Sequence, residues 1–594
     1  MRIIGNLFIT QFSLFFVTKT PFLTLTMTCI LLHYETFQQK VALMGYLCYN
    51  YNDRVCASRK GRTVMKKFKT TGLCNPSKNY MVDITERLKQ IKVMIDNGDY
   101  FTINRARQFG KTTTLAALER YLKDEYNVVR LDFQRIGDAG FKTEEAFVKS
   151  FSRAVLQKNS KINIPKSIND KLLDFINRSS GLAILDELFY CLIEWCSCSE
   201  KPIVLIIDEV DSASNNQVFL DFLAQLRLQY LDREDDEDNP AFQSVILAGV
   251  ADIKHIKGNI RNDNDSKVNS PWNISADFKI DMSLSADGIK GMLDEYEADH
   301  NTGMNTKLIA DSIYEHTSGY PFLVSRICQI IDEQLVPDKF DSLNKAWTKQ
   351  GFNEAIKILL SEKNSLFQSL TGKLTNYPDL KRSIRSILME GTTLSYSALQ
   401  ESISQMEMYG FIKNNHNTVA ISNRIFEMLL YNLFLSDEEI KSSAMFNEGT
   451  LAKNIFVEDG RLNMRLVIEH FIKTYTQIFG PLEDKFKEKD GREQFLLFLK
   501  PIINGTGNYY IEAQTRDQTR TDVVVDYLGQ QDIIELKIWR GQKYNADGEQ
   551  QLVGYLDHFG LNIGYMLTFN FNKNKEQGVK LVKIGDKTIY EGTV

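Results

Sequence analysis

Cysteine is scarce in this sequence, and positive charge is not in excess. The eight cysteines in 594 residues show no paired C-x-x-C spacing, and Cys196-Ser-Cys198 has no histidine nearby to complete a zinc site. Reduced, intracellular thiols are the simpler interpretation, which predicts a cytoplasmic protein. The net charge of −5 supplies no overall positive field, so any binding of nucleic acid would have to come from local patches.

The sequence also lacks internal repeats, and its 43% hydrophobic and 25% charged residues are typical of a globular chain. Its length predicts roughly four domains. One strongly apolar tract, "NLFITQFSLFFVTKTPFLTLTMTCILL", suggests a signal or an anchor, but Lys19 and Pro21 interrupt it and no clean cleavage site follows. We prefer the alternative that translation begins at Met65 and that residues 1–64 are a start-site artefact or a disordered extension. This alternative predicts no association with a membrane.

A phosphate-binding loop is predicted in "YFTINRARQFGKTTTLAALERYLKDEYNVVRLDF", residues 100–133. Strand, loop, helix and strand follow one another there, which is the order of a βαβ unit. In the loop, Gly110 lets backbone N–H groups face phosphate, Lys111 reaches the β- and γ-phosphate oxygens, and Thr112 binds Mg²⁺. Arg105 replaces the first glycine of the usual G-x-x-x-x-G-K-[ST] pattern. The loop alone is therefore a weak signal.

A second part of the same site is predicted in "PIVLIIDEVD", residues 202–211. The continuous apolar run at 203–207 is typical of a strand that is buried on both faces of a parallel sheet. It ends in Asp208, expected to hold Mg²⁺, and Glu209, expected to polarise the attacking water. The loop and this strand together predict that the protein binds and hydrolyses ATP.

Five segments, "YMVDITERL", "NRARQFGKTTTL", "LIIDEVD", "SVILAGVADIKHI" and "TSGYPFLVSRIC", closely resemble bacterial AAA-ATPase-like proteins that carry a C-terminal nuclease domain. The resemblance runs from about Met65 to the C-terminus. Members of that family commonly have an Arg-Gln-x-Gly-Lys-Thr loop without the first glycine, which implies that Arg107, Gln108 and Thr113 also bind the nucleotide. The resemblance further implies a helical lid in which Arg326 senses the nucleotide.

The stretch "RTDVVVDYLGQQDIIELKIWRG", residues 520–541, predicts a β-hairpin with charge on one face. If the chain reverses at Leu528-Gly529, Asp522 lies opposite Glu535, and Lys537 shares the face of Glu535. Two carboxylates and an amine then converge on an otherwise apolar sheet. Juxtaposed carboxylates need a cation between them, and Mg²⁺ with its oxygen ligands meets that need.

This arrangement resembles the PD-(D/E)XK nuclease superfamily, in which an aspartate and a Glu-x-Lys pattern hold Mg²⁺ for phosphodiester hydrolysis. The resemblance implies that Asp522 and Glu535 bind the metal and that Lys537 orients a water or stabilises a phosphorane-like charge. Asp526 is the alternative aspartate, but it falls beside the turn, opposite Gln531. The opposing interpretation is an ordinary hairpin whose Glu and Lys form a solvated pair.

Other residues extend the nuclease resemblance. Gln551 and Tyr555 match the Gln-x-x-x-Tyr helix of several nuclease families, and their spacing puts both on one helical face. Glu493, on a predicted helix, stands where such nucleases often carry another metal-binding acid. The stretch 539–544 adds aromatic and basic side chains that are able to stack on bases and contact phosphates. The expected partner of this domain is nucleic acid, with DNA preferred.

Residues 379–423 lie between the two sites and predict a helix, a second helix and a hairpin with its tip at Asn414–Asn417, an order that resembles a winged helix. The would-be recognition helix, Ser397–Met408, contains no Lys or Arg. Since phosphate contacts supply most of the affinity for DNA, this domain is expected to be structural or partner-binding. The acidic stretch 231–238 is expected to be an exposed loop.

The expected fold class is multidomain α/β: a P-loop NTPase core with a parallel sheet and a helical lid, a winged-helix-like middle domain, and a C-terminal restriction-endonuclease-like α/β domain. The expected boundaries are 65–265 for the ATPase core, 266–365 for the lid, 366–435 for the middle domain, 436–462 for a linker and 463–594 for the nuclease-like domain.

These observations predict an ATP-binding and hydrolysing protein whose nucleotide state regulates Mg²⁺-dependent cleavage of nucleic acid. The alternative is an ATP-dependent switch or scaffold whose nuclease fold only binds nucleic acid or a partner. Either protein could assemble as a homo-oligomer.

Overall fold

The computed structural model describes most of the chain after residue 64. The described residues are 65–594 without 159–161, 179–182, 214–215, 237, 251–271, 390–393, 435, 437–442, 453–454, 459, 481–487, 504–506, 511–522, 528–529, 540, 571 and 573–574. Residues 1–64, for which two interpretations were open, therefore lie outside the described residues. The same holds for Asp522, Arg540 and the side chains of Lys543 and Tyr544.

A four-stranded parallel sheet forms the centre of the first half of the chain. Its strands and the surrounding helices are, in chain order, α1 (Thr85–Asp96), β1 (Phe101–Asn104), α2 (Lys111–Leu122), β2 (Asn127–Asp132), α3 (Gly137–Gly140), α4 (Glu144–Leu156), α5 (Lys166–Asn177), α6 (Leu185–Cys198), β3 (Ile203–Asp208), α7 (Gln217–Asp235) and β4 (Ser244–Gly249). The strands lie in the order β1-β4-β3-β2. An isolated parallel bridge between Phe101 and Ala276 extends the sheet beyond β1.

Burial on both faces explains why the central segments are strands. All six residues of β3 and all six of β4 are buried, because helices cover both faces of a parallel sheet and leave none for polar side chains. Leu205 and Ile207 belong to one apolar cluster, and Val204 and Ile206 belong to another. This alternation of neighbouring residues between two clusters confirms the buried strand that the apolar run at 203–207 predicts.

Helices dominate the segment between the two large sheets. They are α8 (Ala286–His300), α9 (Thr306–Thr317), α10 (Pro321–Glu333), α11 (Leu343–Ala346), α12 (Lys349–Ser361), α13 (Ser365–Asn376), α14 (Pro378–Met389), α15 (Glu401–Met408) and α16 (Arg424–Phe434), with the hairpin of β5 (Ile412–Asn415) and β6 (Thr418–Ile421) before α16.

The order of helix, helix and hairpin that the sequence predicts is present in α14, α15 and β5-β6. The turn of the hairpin consists of His416 and Asn417, which have φ of 48° and 65°. A two-residue hairpin turn of this type needs a positive φ at both positions. The assignment of this region as a winged helix stays a prediction.

A six-stranded mixed sheet lies in the C-terminal part of the chain. The elements of this part are α17 (Ala444–Ala452), β7 (Val457–Glu458), β8 (Arg461–Leu462), α18 (Met464–Phe479), α19 (Glu488–Ile503), β9 (Gly507–Tyr510), β10 (Val523–Tyr527), β11 (Gln530–Ile538), α20 (Gln542–Phe559), β12 (Ile563–Phe569), β13 (Gly578–Ile584) and β14 (Lys587–Thr593). The strand order is β13-β14-β12-β11-β10-β9. β11, β12 and β14 run parallel to one another, and the other pairs are antiparallel.

Helices cover both faces of this mixed sheet. On one face, Gly592 lies against Ile468 of α18, and Phe569 lies against Gly491 of α19. On the other face, Gly564 lies against α20. The stretch 436–462, expected as a linker, contains α17, β7 and β8.

The register of β10 and β11 agrees with the predicted hairpin. Val523 pairs with Ile534, and Asp526 pairs with Gln531. Position 522, the predicted partner of Glu535, lies outside the described residues. Glu535 is itself in register with Met566 of β12, so its side chain points to the face that α20 covers.

The acidic stretch 231–238 is exposed, as predicted, at its described residues other than Arg233, but it is not a loop throughout. Its first five residues belong to α7, which ends at Asp235. Arg233 donates hydrogen bonds to the carbonyl oxygens of Phe242 and Gly98, each at 2.7 Å. The loop prediction was wrong for residues 231–235 because a charged composition is equally compatible with the exposed end of a helix.

A helix that crosses a membrane needs about 20 consecutive, mostly apolar residues. Of the helices in the described part of the chain, none is both long and apolar enough to cross a membrane.

Candidate functional site

The phosphate loop connects β1 to α2. Gly110 is the residue before α2 and has φ of +82°, a left-handed conformation that explains glycine at this position. α2 begins at Lys111. The first-turn N–H groups of a helix have no intrahelical partners, and together with the helix dipole they favour a bound anion. The backbone of this loop is therefore suited to phosphate.

Lys111 is held inside the loop. It is 8% exposed, and its Nζ donates hydrogen bonds to the carbonyl oxygens of Arg105 at 2.8 Å and Ala106 at 3.2 Å. Burial lowers the pKa of this amine, while the nearby carboxylates of Glu209 and Asp211 raise it. Phosphate oxygens are stronger acceptors than these carbonyls because they are charged. Lys111 is thus within the loop and able to exchange its partners for phosphate.

Arg105, which replaces the expected first glycine, directs its side chain away from the loop. Its Nη2 donates a hydrogen bond to the carbonyl oxygen of Ile280 at 3.0 Å, and its guanidinium carbon lies 5.5 Å from the ring centroid of Phe278. Because the side chain is occupied elsewhere, this substitution leaves the space for phosphate open.

Asp208 ends β3 beside the phosphate loop. It is 5% exposed, and burial raises the pKa of its carboxyl, while a hydrogen bond with the Thr112 hydroxyl lowers it. A hydroxyl and a carboxylate at a phosphate loop are ligands that Mg²⁺ takes together with phosphate oxygens and waters. The structure therefore brings together two residues that were predicted to hold the metal.

Glu209 follows Asp208 in an unusual backbone conformation. Its φ is +57°, and such conformations of residues other than glycine cost about 1–3 kcal/mol and concentrate at functional sites. Burial and then the charge of Asp208 raise the pKa of the Glu209 carboxyl. A carboxylate with a raised pKa is better suited to accept a proton near neutral pH.

A cavity of about 900 Å³ opens over the phosphate loop. The predicted residues that line it are Arg107, Gln108, Gly110, Lys111, Thr112, Thr113 and Glu209. The volume falls within the range of small-molecule and cofactor sites. The predicted nucleotide-binding residues thus converge on one space, with Asp208 hydrogen-bonded to Thr112 at its wall.

Arg326, the predicted nucleotide sensor, is engaged elsewhere. Its Nε donates a hydrogen bond to Oε2 of Glu362 at 3.1 Å, and its Nη1 donates one to Oε1 of Gln329 at 2.7 Å. It does not belong to the described lining of the cavity. A role for Arg326 in sensing the nucleotide stays a prediction.

Two segments that line the cavity were missed by the sequence analysis. One is Lys69–Cys74, before α1, and the other is formed by α13 and the residue after α15, with Ser365, Lys373 and Tyr409 among its members. The polar residues Ser365, Ser369 and Lys373 of α13 are spaced by four, so the sequence does predict one polar face. The spacing does not show what this face contacts. In the structure Ser365 contacts Gln108 of the phosphate loop, which lies 257 residues earlier in the chain.

In the C-terminal part, four predicted residues meet between β11 and α20. Glu535 is fully buried at 0% exposure, and its Oε1 lies 2.7 Å from Nζ of Lys537. Lys537 donates a hydrogen bond to Oε1 of Gln551 at 3.2 Å, and Nε2 of Gln551 donates one to the hydroxyl oxygen of Tyr555 at 2.6 Å. The structure thus joins the Glu-x-Lys strand to the Gln-x-x-x-Tyr helix.

Glu493, another predicted metal ligand, has a different partner. Oε1 of Glu493 accepts a hydrogen bond from Nη2 of Arg385 at 2.9 Å, and α19 covers the sheet face opposite α20. Asp522 lies outside the described residues. Over the part of the chain that the structure describes, no three His, Cys, Asp or Glu side chains are grouped closely enough to hold a metal ion.

Comparison with known proteins gives one family match. The AAA-like domain family matches residues 74–434 of this chain, which is more than half of its length. No curated protein matches the chain.

Several solved structures are similar to this chain, and three of them illustrate the range. The Walker-type ATPase PABY2304 of Pyrococcus abyssi is 15% identical, with 61% of this chain and 99% of that chain covered and a TM-score of 0.41. The ORC2 protein of Aeropyrum pernix, in ADPNP–ADP complexes, is 12% identical, with 64% and 99% covered and a TM-score of 0.34. The RuvB Holliday junction branch migration motor of Thermotoga maritima is 11% identical, with 57% and 92% covered and a TM-score of 0.29.

Proposed function

The chain belongs to the AAA-like domain family, and we propose that it is a Mg²⁺-dependent ATPase whose nucleotide state controls a Mg²⁺-dependent nuclease in its C-terminal part. The observation that carries the proposal is the convergence of the Lys111 loop and Glu209 on one cavity of about 900 Å³. The buried Glu535–Lys537 pair supports the nuclease half.

In the ATPase half, the triphosphate lies against the first turn of α2. Lys111 exchanges its two carbonyl partners for β- and γ-phosphate oxygens, and Thr112 and Asp208 hold the metal. A bound Mg²⁺ neutralises charge that develops on the phosphates. Glu209 orients the attacking water and accepts its proton, for which its raised pKa is suited.

In the nuclease half, Glu535 and Asp522 hold the metal on the sheet face beneath α20. The burial of Glu535 on that face supports its part in the proposal. Gln551 orients the amine of Lys537 through the hydrogen bond at 3.2 Å, and Tyr555 orients Gln551. Lys537 then stabilises the charge that develops on the phosphorane-like transition state.

Contacts between the helical and C-terminal parts support control by the nucleotide. Arg385 of α14 pairs with Glu493 of α19 at 2.9 Å. Nδ2 of Asn353 in α12 donates a hydrogen bond to Oδ2 of Asp526 in β10 at 3.4 Å. α13 lines the nucleotide cavity and is separated from α14 by Tyr377 alone, so a shift of α13 is passed to α14 and from there to α19.

The proposed partner is nucleic acid, preferably DNA, at the C-terminal part, and a homo-oligomer is compatible with this function. We also propose a cytoplasmic setting. The cysteines of the described residues are free thiols, which agrees with a reducing compartment.

The second candidate function is an ATP-dependent switch or scaffold whose C-terminal fold binds nucleic acid or a partner without cleaving it. The ion pair between Glu493 and Arg385 favours this second function. Glu493 was predicted to bind the metal, and its carboxylate is instead paired with an arginine. Metal binding discriminates the two functions. Calorimetry with Mg²⁺ should detect a C-terminal site that is lost in Glu535→Ala if the protein is a nuclease.

The decisive experiment incubates the full-length protein with Mg²⁺ and labelled single- and double-stranded DNA and RNA, with and without ATP. We expect cleavage that disappears in Asp522→Ala while ATP turnover remains, because the two sites use different residues. We expect Lys111→Ala to lose ATP turnover and the effect of ATP on cleavage.

Two outcomes would redirect the assignment. Cleavage that survives Asp522→Ala would remove this residue from the site. Intact ATP turnover with no cleavage of any substrate would favour the switch over the nuclease.

A further inference from the structure

α13 supplies part of the wall of the cavity that the phosphate loop also lines. Ser365, Ser369 and Lys373 all line the cavity. Their spacing of four residues places them along one face of the helix. This face is polar, although Leu366 and Leu370 beside it also reach the cavity. A polar stripe directed into a phosphate-binding cavity is suited to contact the ligand.

The region around α13 contacts the phosphate loop itself. Nε2 of Gln108 donates a hydrogen bond to Oγ of Ser365 at 2.8 Å. Gly410, which follows α15, approaches so closely that an added Cβ would lie 2.8 Å from Cβ of Ala106. The stripe on α13 therefore belongs to the nucleotide site and is not a neighbouring groove.

Lys373 is the cation of this stripe. Its Nζ lies 4.4 Å from the ring centroid of Tyr409 and 5.8 Å from that of Tyr377. Within the described part of the chain, no carboxylate forms an ion pair with it. An ammonium group held by aromatic faces keeps its charge and its hydrogen-bond donors for an anionic ligand.

Two other cations have firmer partners: Arg87, which also lines the cavity, and Arg326, which does not. Arg87 donates to the carbonyl oxygens of Asp281 at 3.2 Å and Ser283 at 2.8 Å. Arg326 is paired with Glu362. Lys373 differs from both because its contacts are the faces of two tyrosine rings.

We propose that Lys373 binds the phosphates of the nucleotide from the wall formed by α13, so that this helix completes the site that the phosphate loop begins. The triphosphate gains more from this cation than the diphosphate does, because it carries more negative charge. This assignment rests on the proposed binding of ATP and does not depend on nuclease activity.

The test measures the affinity of the full-length protein for the slowly hydrolysed triphosphate ATPγS and for ADP by calorimetry, with Mg²⁺ present. Lys373→Met should bind ATPγS about tenfold more weakly or worse, since a hydrogen bond between charged groups is lost. The loss for ADP should be smaller. Lys373→Arg should retain most of the affinity.

The matched control is Lys363→Met, which removes the same charge from an exposed position two residues before α13. It should bind both nucleotides as the parent protein does. Lys373→Gln provides a second neutral variant if the thermal midpoint shows that Lys373→Met is destabilised.

Three results would contradict the proposal or the nucleotide site on which it rests. Unchanged affinity in both neutral variants, with binding lost in Lys111→Ala, would refute the role of Lys373 and leave the ATP site standing. Equal losses in the Lys363 and Lys373 variants would refute it as well, because the effect would then be one of net charge. Unchanged binding in Lys111→Ala would instead refute the proposed nucleotide site.

Discussion

Asp532 is a carboxyl group inside the C-terminal sheet. It is 5% exposed, and Nε2 of Gln530 donates a hydrogen bond to its Oδ2 at 3.1 Å. Burial raises the pKa of Asp532 from 3.8 to about 7; the hydrogen bond from Gln530 opposes this rise, and the charge of Asp526 adds to it. Between these two pH values the folded protein binds more protons than the unfolded chain. Stability therefore falls as pH rises through this window.

Replacing the carboxyl by an amide should remove this pH dependence. We expect Asp532→Asn to match the parent protein near pH 4 and to exceed its stability at pH 8 by up to about 4 kcal/mol, because the amide is never ionised. Thermal or urea unfolding at the two pH values measures the difference. Asp547→Asn, at an exposed position of α20, should show no such gain. Equal stability of Asp532→Asn and the parent protein at pH 8 would contradict the account.

At the scale of elements, the corner between α9 and α10 sets one wall of the nucleotide cavity. Gly319 has φ of +71°, and an added Cβ would lie 2.0 Å from the carbonyl oxygen of Leu284. The backbone N–H of Leu284 donates to the carbonyl oxygen of Gly319 at 2.8 Å. Pro321 begins α10, and both Pro321 and Phe322 line the cavity. A residue without a Cβ at position 319 therefore allows the close backbone contact that places the start of α10 at the cavity.

Gly319→Ala should destabilise the protein by on the order of 3 kcal/mol, because it combines backbone strain with a collision against backbone. We also expect weaker nucleotide binding, since α10 must move to relieve the collision. Gly291→Ala is the control: it lies in α8, where an added Cβ meets nothing within 4 Å, and should stabilise by about 0.5–1 kcal/mol. Denaturant unfolding and calorimetry measure both effects. Tolerance of alanine at 319 would show that the corner can relax.

At the scale of the whole molecule, Arg385 and Glu493 connect the helical part to the C-terminal part. Their side chains are 33% and 29% exposed, so the pair contributes only modestly to stability. Its importance is its position between α14 and α19. Arg382, three residues earlier on α14, pairs with Asp379 of the same helix and is 79% exposed. Arg385 therefore links two parts of the molecule, whereas Arg382 forms an ion pair within one helix. Comparing variants of the two arginines tests the link.

Hydrogen exchange of the full-length protein should report this link. We expect ATPγS to change the exchange of α19 amides in the parent protein and in Arg382→Met, and to change it much less in Arg385→Met. Retention of the full response in Arg385→Met would mean that the nucleotide signal does not pass through this ion pair. ATPγS should change the hydrogen exchange of α13 amides by the same amount in all three proteins. This equal change is the control for nucleotide binding.

Local patterns predicted the elements that carry the candidate sites. The apolar run at 203–207, the loop before α2 and the charged hairpin at 523–535 all depend on residues that are close in sequence. Side-chain alternation and turn geometry act over a few residues, so strand identity and register followed from the pattern. Composition alone failed for the loop expected at 231–238, because exposed charges do not distinguish a loop from the exposed end of a helix such as α7.

By itself, the sequence determined that residues 107–113 form a phosphate loop pattern, that Asp208 and Glu209 end a buried strand, and that Glu535 and Lys537 share a face. Only the tertiary structure decided that Lys373 lines the same cavity as the phosphate loop and that Arg326 pairs with Glu362. Periodicity determines which face of a helix or strand is polar. It does not determine which distant surface that face meets, because that choice depends on the packing of elements separated by hundreds of residues.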